Sequence, residues 1–230
     1  MRLKGIMLHN QNRITDRIKA IHALKAVMLC GIIFLAGCGQ TPAVPKVVTQ
    51  SSLVIDTEGH LTAHIVDVFD KEYYDLSGLE EMARGELEQF RNAHQGAETS
   101  VELQRVEMVE GTENEVVVTY TFDSAATYSD YTGNKLFYGT AAEAAGAGYD
   151  FIQMKQVLND TAGGDSIDSG KLMEDPMQLK HVILLAEGTR VYAPAKVAFI
   201  SENAEMTEDG SVNTAGVLSD KYPVVIVLDR

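Results

Sequence analysis

The chain has 230 residues, 45% of them hydrophobic, with 33 Asp and Glu against 19 Lys and Arg and a formal charge of −14. Such a length supports one ordinary domain with a real core, and the acidic balance repels nucleic acid and anionic headgroups, so nucleic acid is excluded as a partner. Two cysteines are too few for a disulfide framework.

Residues 1–37 read as a targeting segment. Arg2, Lys4, Arg13, Arg17, Lys19 and Lys25, against the single acid Asp16, precede an apolar run over residues 26–37 that ends in small residues. This is the layout of a secretory signal, and the run is shorter than the ~20 residues a spanning helix needs. Leu35-Ala36-Gly37-Cys38 resembles the lipobox of bacterial lipoproteins. The resemblance implies cleavage before Cys38, a diacylglyceryl group on its thiol with acyl chains such as palmitate, and anchoring at the outer face of the cytoplasmic membrane. Translation from Met7 instead of Met1 leaves this reading unchanged.

Cleavage there leaves 193 residues with 13 basic and 32 acidic side chains, a formal charge of −19. Cys30 departs with the signal and Cys38 is committed to lipid, so the sequence predicts no disulfide, no thiolate zinc site and no cysteine nucleophile. Gly39-Gln40-Thr41-Pro42-Ala43-Val44-Pro45 has linker composition, which assigns residues 38–52 to a flexible tether and 53–230 to a single domain.

Within that domain, Leu53–Asp56, a turn at Glu58-Gly59 and the alternation of Leu61, Ala63 and Ile65 predict a hairpin with one buried face. A helix follows, with a capping box at Ser77 and Glu80. Its apolar stripe is Leu79, Met82, Ala83, Leu87 and Phe90; its outer face is Glu81, Arg84, Glu88 and Arg91; Gly96 is the stop. Residues 101–122 form a second hairpin, with a change of apolar parity at Gln104-Arg105 that predicts a bulge. Short helices are expected near 124–131 and 140–147, the latter with a Thr140–Glu143 capping box. A Gly- and Asp-rich loop spans 159–170. Strands follow at 182–185, at 191–200 with an interruption at Pro194, and at 224–228, with a hairpin turn at Asp209-Gly210. The class is therefore α+β: mostly antiparallel sheet, one main covering helix and short extra helices. A subdivision into ββαββ (53–122) and a strand-rich remainder (123–230) stays open.

Few residues suggest chemistry. His60 and His64 have the spacing of a metal pair on a helix, but on a strand four residues separate them by ~13 Å, so both are expected on the exposed face of the hairpin. His94 suits a helix C-terminus, and His181 stands alone before a strand. Asp160, Asp165 and Asp168 are the candidate cation ligands, since hard cations favour several oxygens on a flexible turn, although the loop lacks EF-hand spacing. Eight of the 16 aromatics fall between Tyr120 and Phe151, to be read as core filling or as an exposed tyrosine surface. There is no G-x-S-x-G, Walker loop, H-E-x-x-H or Cys pair, so no catalytic residue is assigned and no cofactor is implied.

Residues 69–79, 136–149 and 180–184 (Phe69-Asp70-Lys71-Glu72-Tyr73-Tyr74, Leu136-Phe137-Tyr138-Gly139-Thr140 and Lys180-His181-Val182) resemble a group of small lipoproteins of Gram-positive gut-type anaerobes. The resemblance covers most of the mature chain and implies surface location without supplying a catalytic or binding residue. The expectation is a lipid-anchored extracytoplasmic module that binds an unknown surface protein or wall partner. A small-ligand or calcium sensor is the alternative, and a cell-wall hydrolase a third reading.

Overall fold

The computed structural model describes residues 47–71, 74–94, 100–214 and 223–230, all within one compact unit that spans residues 39–230. The signal segment, Cys38, Gly96 and the stretch 39–46 lie outside the described residues. The fold is α+β, with two mostly antiparallel sheets and one long helix.

The first sheet grows from two hairpins. β1 (Ser52–Ile55) pairs with β2 (Leu61–Val68), β2 with β4 (Glu115–Phe122), and β4 with β3 (Val101–Met108). The register shifts between Leu103 and Arg105, placing a bulge at Gln104, where the apolar parity changes. Strand β4 is interior, and Val116, Val117 and Val118 are buried on alternating faces. Three strands from the C-terminal part complete the sheet. β9 (Arg190–Tyr192) runs parallel to β1, and β12 (Val212–Asn213) and β11 (Glu205–Met206) follow outward. The order is β11-β12-β9-β1-β2-β4-β3. The larger sheet thus draws on both sides of residue 122, which is why a ββαββ segment does not have a sheet to itself.

Helix α1 (Leu76–Ala93) packs against β3 and buries Leu79, Ala83 and Leu87; Met82 and Phe90 are half-buried. Glu81, Arg84 and Glu88 face water as the spacing requires, while Arg91 Nη2 donates to the Val101 carbonyl at 2.6 Å. The N-cap is Asp75, not Ser77: its carboxylate accepts from Gly78 N at 2.8 Å. A carboxylate serves the first-turn donors well, so the helix starts one residue before the expected cap.

The second sheet has the order β5-β8-β13-β10-β6-β7: β5 (Leu136–Thr140), β8 (His181–Leu185), β13 (Val224–Leu228), β10 (Val197–Ser201), β6 (Val157–Asp160) and β7 (Ile167–Asp168). All five residues of β13 have no exposed surface, so both faces of this sheet are covered. Short helices α2 (Ala125–Thr132), α3 (Ala141–Gly146) and α4 (Phe151–Met154) accompany it. Phe151, Leu158, Leu172 and Val225 form a core with Ala141 and Ala144 of α3. Helix α3 carries the full Thr140–Glu143 capping box, and Ser124 caps α2. Pro194 separates β9 from β10, which belong to different sheets. The Asp209-Gly210 turn joins β11 to β12, with Gly210 at φ 80°.

Two expectations need correction. Val48 is buried against Val66, Val109 and Val117, and the Ser51 hydroxyl accepts from Val66 N at 3.0 Å. Val48, Ser51 and Ser52, assigned to the tether, are therefore packed on the first sheet, because a second apolar patch on its outer side needs cover. The stretch 159–170 is in part strand: Ile167 and Asp168 pair back onto Leu158 and Val157 as a hairpin, and Asn159 and Asp160 pair with Ile200 and Phe199.

The α1 stripe predicts that Leu87→Ala lowers stability by ~2–5 kcal/mol, while Glu88→Ala changes it by less than ~0.5 kcal/mol. Urea unfolding of the two variants checks this, and equal small losses would contradict the helix orientation.

Candidate functional site

The turn between β1 and β2 gathers three groups capable of holding a metal. Asp56 N donates to the His60 carbonyl at 3.0 Å and Gly59 N to the Asp56 carbonyl at 3.2 Å, with Gly59 at φ 90°. Asp56 Oδ1 accepts from the backbone N–H groups of Glu58 (2.8 Å) and His60 (2.9 Å). Asp56 Oδ2 lies 3.0 Å from His60 Nδ1, and Glu58 Oε2 lies 3.5 Å from the same nitrogen. Burial pushes the Asp56 carboxyl up, but the hydrogen bonds from the His60 imidazole and the two backbone N–H groups outweigh it, so the net shift is downward. Ligand bonds of ~2.0–2.2 Å hold donor atoms ~3–3.5 Å apart, a spacing these atoms already approach. On sequence the Glu58-Gly59 turn is visible but the convergence is not: residues two apart on an extended strand share a face but stand ~7 Å apart, and only the fold-back at Gly59 brings their ligand atoms together.

The second sheet adds neighbours to this turn. A Cβ on Gly59 would come within 3.2 Å of Tyr138 Cδ1, so the turn sits directly on the β5 tyrosine ring. The Tyr138 ring is 5.6 Å from that of His181, and Arg230 Nη1 donates to the Thr57 carbonyl at 3.4 Å. Tyr138 Oη and His181 Nδ1 are both shielded from solvent without a hydrogen-bond partner. Burial raises the Tyr138 hydroxyl, with the Asp56 charge adding to it and Arg230 opposing; burial and Arg230 together lower the His181 imidazole. Glu143 stays held by its own cap, accepting from Thr140 N at 2.7 Å. His181, expected to stand alone, is thus part of this junction.

The remaining candidates fall elsewhere. His60 is exposed as expected, but His64 is only 7% exposed. It lies on the outer face, opposite Leu61 and Ala63, in register with Ser52 and Thr119, and its Nδ1 is 3.1 Å from Thr119 Oγ1. That face is not solvated as the alternation implied, because Thr119 and its neighbours are buried as well. Burial, reinforced by the Arg105 charge, pushes the imidazole down to about 4. His94 caps α1, with Nδ1 2.8 Å from the Phe90 carbonyl.

Asp160, Asp165 and Asp168 are not brought together. Among the described residues, Asp56, Glu58 and His60 are the group of three whose ligand atoms all lie within 4.8 Å. Asp160 instead accepts from Ala162 N at 2.7 Å, and Asp168 caps a 3₁₀ turn through Gly170 N at 2.8 Å. Tyr120, Phe122, Tyr128 and Tyr131 pack on one another at 5.2–5.7 Å centroid spacing for the Phe122–Tyr128, Tyr120–Tyr131 and Phe122–Tyr131 pairs. They fill the space between β4 and α2.

No family model matches the chain, and no curated protein and no solved structure is significantly similar to it.

His64 yields a pH dependence. The unfolded imidazole titrates near ~6.5, so between that value and the folded value the unfolded chain binds the extra proton. The contribution is fully present above the unfolded value and is lost as pH falls toward the folded one, to the extent of ~2–3 kcal/mol. Urea unfolding at pH 7 and pH 4.5 should show this loss in the parent chain and a flatter slope in His64→Gln.

Proposed function

We propose that the chain is a surface lipoprotein: residues 1–37 direct export, Cys38 carries the lipid, and the folded unit is a non-catalytic module that binds a partner outside the cell. The observation that carries the reading is Leu35-Ala36-Gly37-Cys38, placed directly after a basic and then apolar segment and ten residues before the buried Val48. A binding role is favoured over catalysis by how the converging polar groups are used. Asp56 and Glu143 are occupied with backbone N–H groups of their own turns, and the Thr140 hydroxyl beside Glu143 is part of the α3 cap. Membrane attachment fits as well, since two acyl chains suffice for stable anchoring at ~0.8 kcal/mol per buried methylene. Cys38→Ser should abolish acyl labelling and release a folded product from the membrane fraction. Undiminished labelling of that variant would remove the assignment.

A second reading, a divalent-cation sensor, is favoured by the Asp56–Glu58–His60 cluster and no longer by the Asp165 loop. Zinc or calcium should then raise the melting temperature saturably, with the effect lost in His60→Ala and kept in Asp165→Asn. A rise that both variants keep would point to charge screening alone.

A further inference from the structure

We propose that the folded unit stands on the membrane in one orientation, resting on the function inferred above. The β3–β4 turn (residues 109–114) with Val47 and Val68 faces the lipid, and the Asp56–His60 end points away from it. Val48 packs against Val66, Val109 and Val117, near the end of β2 and beside the β3–β4 turn, and Phe69 N donates to the Asn114 carbonyl at 2.6 Å at the same end. The β1–β2 turn, Tyr138 and Arg230 lie at the opposite end of β2, because Leu61 pairs with Phe122 and Val68 with Glu115.

Chain length then limits the geometry. Eight residues separate Cys38 from Val47, nine steps along the chain. A chain of that length reaches ~30 Å fully stretched and ~16 Å as a relaxed coil. Val66 is five residues from Leu61 along β2, a rise of ~17 Å, and the Asp56–His60 turn projects further still. An inverted unit, with that turn on the lipid, would hold Val48 ~20 Å or more above the surface, beyond the relaxed length of the connection though within its full reach. The upright arrangement needs no stretch.

The surface chemistry agrees. Val47, Val68 and Met108, three of the large exposed hydrophobics, sit at this entry end. Glu107, Glu110 and Glu113 are exposed around them and oppose adsorption to anionic headgroups, so the lipid on Cys38, and not the domain's own affinity, brings this end close. The Asp56–His60 end, with Tyr138, His181 and Arg230 behind it, is left to meet a partner arriving from outside.

The test uses the full lipidated chain in phosphatidylcholine vesicles carrying a headgroup quencher, with one fluorophore attached at Glu113→Cys or at Thr57→Cys. Quenching at 113 should exceed that at 57 by twofold or more, and the same labels on the Cys38→Ser chain should be unquenched. Equal quenching on a lipidated chain, or stronger quenching at 57, overturns the orientation alone. Quenching without lipid shows that the domain adsorbs by itself and overturns the tether argument. If mass analysis finds no lipid on Cys38, the functional reading falls and the orientation falls with it.

Discussion

The parallel pairing of β1 with β9 is the contact on which the architecture depends. Ser52, Leu53 and Val54 align with Arg190, Val191 and Tyr192, so a strand from the start of the fold takes its neighbour from beyond four of the second sheet's six strands. Without it the first sheet would end at β1, and β12 and β11, which reach the sheet only through β9, would have no place. The passage from β8 to β9 is fixed accordingly. Glu187, in the crossing loop, accepts hydrogen bonds from the Tyr128 hydroxyl and from Asn134 Nδ2, the latter at 2.6 Å. Burial pushes this carboxyl up in spite of both donors. Thr214 Oγ1 donates to the Glu187 carbonyl at 2.7 Å and accepts from Thr189 N at 2.9 Å, closing the same corner.

The two sheets solve their burial problems differently. In the second, β13 is apolar throughout because helices cover one side of the sheet and the remaining side is equally closed. In the first, the side opposite α1 holds a polar row, Arg190, Ser52, His64, Thr119 and Arg105, set across five strands by the register. Ser52, His64 and Thr119 are buried, and the His64–Thr119 hydrogen bond satisfies groups that would otherwise carry a desolvation cost. Charge is also unevenly placed. In a strongly acidic chain, Lys180 and Asp229 pair at 2.6 Å near Arg230, and Asp229 N donates to the Lys196 carbonyl, so three cations sit around the end of β13.

Local features were legible in the sequence and distant ones were not. The α1 stripe, the Thr140–Glu143 box, the bulge at Gln104 and the Asp209-Gly210 turn depend on residues within a few positions of one another, and each is present. Which strands share a sheet depends on contacts across the chain, and nothing in 190–192 marks it as the partner of 52–54. His64 was misjudged for the same reason: alternation identifies its face, but burial of that face comes from elsewhere in the fold. The Asp56–Glu58–His60 group required the turn's geometry as well as its location, and the junction with Tyr138, His181 and Arg230 required both sheets.

The long reach of β9 sets the order in which the molecule can form. Until residues 190–213 are available, β1 presents an open row of backbone donors and acceptors on its outer side, a bare edge on the four-stranded part of the sheet that residues 52–122 supply. Pairings between such distant segments also carry a large loop-closure entropy, which slows their formation. A ribosome releasing this chain from its first residue onward therefore leaves that edge uncovered until residue 192 has emerged. Closure of the first sheet is thereby deferred until most of the chain has been made.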